Sequence, residues 1–225
     1  MTVGEPSKVI ISIFGILDVT GEVICEWILI AVIALLSFAV THRLKERPGR
    51  LQNMAEAGVE YLVHFFTDTL GARNARKYFF FLGSMFVFII FANYCGMIPG
   101  VGMTDFVKAP TSSLSVTAGL GICAFLFLQI AGLANGPKKY LKHFISPIAV
   151  MLPLLLMDEL IKPVSLALRL FGNVYGEESV TEKLYEILPI GAPVVMMALS
   201  ILFCALQAVV FTMLTSIYLA EMIED

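Results

Sequence analysis

Runs of apolar residues long enough to cross a bilayer, separated by tight clusters of charge, constrain this chain more than any other feature. A spanning helix needs about 20 such residues, and runs of that length recur at 23–40, 78–98 and 114–133. Two longer stretches, 145–176 and 187–222, stay apolar for more than thirty residues each. Only 15% of the 225 residues are charged against 58% hydrophobic, too little charge to coat a soluble globule. The expected fold class is an all-α polytopic membrane protein, a single integral membrane domain over 1–225. About five membrane-embedded helices form it, with one interfacial amphipathic helix.

Residues 1–22 mix apolar and polar positions around Gly15 and Gly21 and form an outer lead-in. Lys8 precedes a short apolar run with no clear small-residue cleavage site after it. The first span, with Trp27 at one end as an interface anchor, is therefore expected to act as its own insertion signal. Glu26 is close enough to that end to reach the headgroups. Between 49 and 71 the pattern changes. Leu51, Met54, Ala55, Val59, Leu62, Val63, Phe66 and Leu70 recur at helical spacing, and Gln52, Glu56, Glu60, His64 and Asp68 fall between them. That describes a helix lying along the interface, with Gly71 expected to stop it.

Ten of the fifteen lysines and arginines gather in three clusters: Arg43, Lys45, Arg47 and Arg50; Arg73, Arg76 and Lys77; and Lys138, Lys139 and Lys142. The bias toward basic cytoplasmic loops places all three inside, the N-terminus outside and the C-terminus in the cytoplasm. The loop with Asp105 and Lys108 lies outside, and His42, His64 and His143 fall in solvated cytoplasmic-side segments. Cys25, Cys95, Cys123 and Cys204 show no CxxC spacing, so they read as small buried hydrophobes rather than metal ligands. No phosphate-binding loop or nucleotide motif appears, no cofactor or metal is implied, and the expected partner is the lipid bilayer rather than nucleic acid.

The last two stretches are too long to stand upright in a bilayer, so both are expected to tilt or kink, as a hairpin joined by an acidic outer turn of Glu177, Glu178, Glu182 and Glu186. The first of them contains Arg169, whose guanidinium keeps its charge. Placing it at the centre of a membrane helix costs about 2.5–3.5 kcal/mol. Lys162, Ser165, Arg169, Asn173 and Gly176 recur at three and four residues and share one face. Ser200, Cys204, Gln207, Phe211 and Thr215 do the same on the last helix, which puts Gln207 within possible reach of Arg169.

Most of these residues have a plain structural reading. Ser165 and Ser200 are expected to bond only a neighbouring helix. Gly172 and Gly176 point to close packing, Asp158, Glu159 and Lys162 to local ion pairs, and Thr111, Ser112 and Ser113 to a cap on the third span. Arg169 resists such a reading, because no acid of this chain lies near it on its own face. Its partner is expected on another subunit. A fixed cation facing a moving carboxylate favours the ionised form and repels free cations, so it blocks leakage between two half-paths.

Leu166-Ala-Leu-Arg-Leu-Phe-Gly-Asn173, after Lys162-Pro-Val-Ser and before Tyr175 and Glu178, closely resembles the signature of subunit a of F-type ATP synthases. Phe91-Ala-Asn-Tyr-Cys-Gly-Met-Ile-Pro-Gly100, Pro110-Thr-Ser-Ser-Leu-Ser-Val-Thr117, Lys139-Tyr-Leu-Lys-His143 and Gln207 follow that family's order. The resemblance implies an ion-translocating stator beside a rotating ring of c subunits in a bacterial plasma membrane, with peripheral-stalk b subunits and the rest of the F1Fo complex as partners. Arg169 would face the ring carboxylate. Asn173, Gln207, Glu177, Glu178, Ser200 and Lys162 would line the path of H⁺ or Na⁺, and ATP chemistry would occur on other subunits. Three positions depart from the pattern: Ser113 where many members have Asp, Ser200 where His or a small residue is common, and Glu177 beside Glu178. The competing reading is a secondary transporter in which Arg169 binds an anionic substrate, which predicts inverted repeats and broken helices.

Overall fold

The computed structural model describes residues 9–13, 17–42, 49–96, 110–136, 152–187 and 191–224. The expectations placed on the outer loop around Asp105 and Lys108 and on 137–150, including Lys138, Lys139, Lys142 and His143, lie outside the described residues, as do those on Arg43, Lys45 and Arg47. Among the described residues the chain is an all-α polytopic membrane protein of five helices: α1 Gly21–Thr41, α2 Arg50–Cys95, α3 Leu114–Asn135, α4 Leu152–Ile187 and α5 Ala192–Glu224. Four of them, α1, α2, α3 and α5, are long and apolar enough to cross a membrane. α4 carries nine charged residues from Asp158 to Glu186.

Three features differ from the sequence reading. The lead-in contains two short antiparallel strands, β1 Val9–Ile13 and β2 Leu17–Thr20, paired from Val9↔Thr20 to Ile13↔Leu17. Gly71 does not end its helix outright. It takes φ 74° and ψ 154°, a conformation open to glycine alone, and a second helical stretch starts directly after it. The amphipathic and spanning segments are thus two arms of α2 about a glycine break. The acidic turn is not a turn, since α4 continues helically through Glu177, Glu178, Glu182 and Glu186 to Ile187. Nothing between Gly176 and Pro189 breaks a helix, and Glu, Lys and Leu all favour one.

Packing follows seams of three-and-four spacing. Tyr78, Leu82, Met85, Ile89 and Ala92 of α2 are buried, as are Thr117, Gly121, Ala124, Leu128 and Ala131 of α3 and Cys204, Ala208, Phe211, Thr215 and Leu219 of α5. These faces meet in two clusters. One joins Phe66 and Leu82 to Leu128 and Leu219; the other joins Met85 and Ile89 to Ala124, Leu166, Leu170 and Phe211. Lipid is as apolar as leucine, so close contact rather than burial from water holds such helices together. Gly121 shows how close. A Cβ there would lie 2.8 Å from the Pro163 carbonyl oxygen and 3.1 Å from the Ala167 Cβ, so this glycine sets the approach of α3 to α4. Phe80, Leu35, Ile130 and Val195 stay exposed and form the outward apolar faces.

Candidate functional site

The site is built along the seam between α4 and α5. Leu166 and Leu170 of α4 are buried in the second cluster, and an α-helix turns 100° per residue. Anchoring those two positions throws Arg169 outward. It is exposed, and it forms no hydrogen bond or ion pair with any described residue. The expected contact with Gln207 is not made. Gln207 is buried, and its Oε1 instead accepts a hydrogen bond from Asn173 Nδ2 at 2.7 Å. Asn173 lies four residues beyond Arg169, so the amide bridge that joins the two helices stands one turn past the guanidinium. Gly172 and Gly176 do not pack against a neighbour either, since a Cβ on each would meet nothing within 4 Å. Beside Arg169 the surface of α4 is bare backbone and open.

Toward the α4–α5 connection the seam stays polar. Glu177 lies within hydrogen-bonding reach of Ser200, and the Cys204 thiol points at its Oε2 from 3.9 Å. Glu177 and Ser200, two of the sequence candidates, are therefore brought together. Glu178 is part of α4, but its side chain lies outside the described residues. At the other end of the stripe Lys162 is enclosed. Its Nζ is 2.7 Å from Glu159 Oε1 and 2.9 Å from Glu221 Oε2, and it stands 5.1 Å from the ring centre of Tyr218. Glu159 is buried and accepts a second hydrogen bond, 3.1 Å from Gln129 Nε2. Asp158, Ser165 and Glu221 open onto a cleft of about 250 Å³ beside this network.

Two residues were missed as site members. Asn93 of α2 is 1% exposed; its Nδ2 reaches the Cys204 carbonyl at 3.4 Å, and its Oδ1 has no partner among the described residues. Thr111 is fully buried in the 3-10 turn Pro110–Ser112, and its hydroxyl is unpaired as well. It does not cap α3: Ser113 holds the N-cap position, and its side chain makes no cap bond. Gln207 Nε2 is the third such atom. A buried polar atom without a partner costs about 1–3 kcal/mol, and two of them, Asn93 Oδ1 and Gln207 Nε2, lie on residues that meet or belong to α5. The available signal for Asn93 is its place in the buried row Tyr78, Leu82, Met85, Ile89 and Ala92, where the helix period calls for an apolar residue.

Known proteins show the same sequence character. The family description "ATP synthase A chain" matches residues 23–220. The chain is 34% identical over 203 residues to "ATP synthase subunit a 1" of Syntrophotalea carbinolica, covering 88% of this chain and 84% of that one. It is 33% identical over 210 residues to "ATP synthase subunit a" of Moorella thermoacetica, covering 93% of each. Against "ATP synthase subunit a 3" of Pelobacter propionicus it is 36% identical over 203 residues, with coverage of 88% and 86%.

Proposed function

The chain belongs to the ATP synthase A chain family, and from that premise we propose that it is the ion-translocating stator of a rotary F-type ATP synthase. It sits in the plasma membrane of a bacterium as part of the membrane sector, beside a ring of c subunits and against the b subunits of the peripheral stalk. Its N-terminus is outside and its C-terminus in the cytoplasm. Nucleotide chemistry belongs to other subunits of the F1Fo complex. Ions flow through it as H⁺, the commoner coupling ion, or Na⁺.

One observation carries the reading. Arg169 is a cation with no partner among the described residues, exposed on a helix whose Leu166 and Leu170 are buried. A charge placed so within a membrane protein needs a partner, and the bare surface of Gly172 and Gly176 leaves room for a neighbouring helix to bring one. A ring carboxylate arriving at Arg169 is favoured in its ionised form and releases its ion. The guanidinium repels free cations, so an ion crosses only by riding the ring between two half-paths. Carrying one charge across the field gains about 2.3 kcal/mol per 100 mV.

The outer half-path runs by Glu177, Glu178 and Ser200 to the Asn173–Gln207 bridge, with Asn93 and Thr111 lending polar atoms that bound water would satisfy. Glu177, not a histidine, is then the titrating group opposite Ser200. The transporter reading gains no support, because α4 runs unbroken through Arg169 where a substrate site would unwind it. The test is Arg169→Ala in the assembled enzyme, measured as ion-driven ATP synthesis in membrane vesicles. Synthesis should stop, and wild-type rates would overturn the assignment.

A further inference from the structure

Two cations share the polar stripe of α4, and they are held in opposite ways. Arg169 has no partner among the described residues. Lys162 lies two turns earlier, about 10 Å along the axis, and has two carboxylates within 3 Å of one ammonium. Three helices converge to achieve this: α4 supplies Glu159, α5 supplies Glu221 and the face of Tyr218, and α3 supplies Gln129 to hold Glu159 in place. The Lys162 side chain is only 13% exposed. Local helix pairing does not explain the arrangement. Glu159 alone, three residues away, would neutralise the lysine, and Glu221 arrives from a separate helix to leave the three groups with one net negative charge.

We propose that this network is a charge cage, which hides the second cation of the stripe from the passing ring carboxylate so that Arg169 is the one attractive point on this face. The proposal rests on the reading of Arg169 as the ring-facing charge. At an effective dielectric near 20, attraction between unit charges about 10 Å apart still exceeds thermal energy. An uncaged Lys162 would therefore offer the ring a second resting place off the release position, and rotation would stall between the two. The cage's net negative charge does the reverse and pushes the carboxylate toward Arg169.

The experiment varies the charge of the cage and reads ion-driven ATP synthesis and ATP-driven ion uptake in vesicles, normalised to assembled enzyme. Glu159→Gln with Glu221→Gln turns the net charge from −1 to +1, and synthesis should fall about tenfold, the effect of one barrier step of 1.36 kcal/mol. Adding Lys162→Met returns the charge to zero and should restore most of that loss. If the network only pins the helices, the triple variant has lost every ion pair and will be no faster than the double, which overturns the cage. Glu221→Lys supplies a second route through a half-exposed position. It should slow synthesis, and Lys162→Met added to it should recover the rate by letting the relocated ammonium pair with Glu159. No recovery in that pair also overturns the proposal. Arg169→Ala run alongside separates the two claims. If it retains synthesis, the stator reading fails; if it abolishes synthesis while neither suppressor works, only the cage fails.

Discussion

The two ends of the α4–α5 seam treat polar side chains differently. Around Lys162 the groups are matched: an ammonium with two carboxylates, and Glu159 with a further amide. Around Gln207 they are not, and Asn93 Oδ1 and Gln207 Nε2 are buried without partners among the described residues. A saturated network stabilises one arrangement of helices. An unsatisfied one is a standing cost that makes sense where water or ions must pass. Arg169 stands between the two, bonded to neither. The contrast separates the part of the seam whose polar groups are matched from the part proposed above to conduct.

Substitutions can break that contrast, and the largest effect belongs to the residue between the two ends. Arg169→Ala should abolish ion-driven synthesis while leaving the folded subunit as stable as before, since the side chain bonds no described residue; a thermal melt of the purified membrane sector checks the second half. Next is Glu177→Gln, which removes the group proposed to titrate at the unsatisfied end. Its synthesis rate should drop by about 10²-fold, the lower end of what a positioned proton-transfer group contributes, with ATP hydrolysis by the detached catalytic sector unchanged.

Asn93→Leu should separate conduction from stability most cleanly. It removes the Oδ1 that has no described partner together with one long 3.4 Å bond from Nδ2 to the Cys204 carbonyl, small effects of opposite sign, so the melting temperature should stay nearly constant while ion flux falls several-fold. Glu159→Leu at the matched end should do the opposite to stability. It strips one carboxylate from a half-buried lysine and removes the Gln129 Nε2 bond to Glu159, at about 1–3 kcal/mol. The smallest effect is expected for Ser200→Ala, where the thiol of Cys204 still faces Glu177. A change of about twofold or less in flux, no more than a weak hydrogen bond contributes, would show that Ser200 shapes the path without carrying it.

Much of this was legible from residue order. The spans, the amphipathic arm with Phe66 and Leu70 on its buried face, and the stripe through Lys162, Arg169 and Asn173 all follow from local periods. Gly71 announced a break, though not that helix resumes directly after it, because the φ of a glycine is set by what each arm packs against. The extension of α4 through Glu177–Glu186 is not legible in the sequence, because acidity suggests exposure and exposure a turn. Acid residues are compatible with helix, and α4 runs through all four of them.

By itself the sequence determined that this chain is a bundle of membrane helices with one arginine that nothing on its own helix face can neutralise. Period and hydropathy are local quantities, so they survive without coordinates. Only the tertiary structure decided which polar groups meet: that Gln207 takes Asn173 rather than Arg169, that Glu177 finds Ser200 and Cys204, and that Glu221 comes to Lys162 across 59 residues. Partnership between helices depends on crossing distance and depth. Those are fixed by contacts such as Gly121 against Pro163, which no single helix can specify.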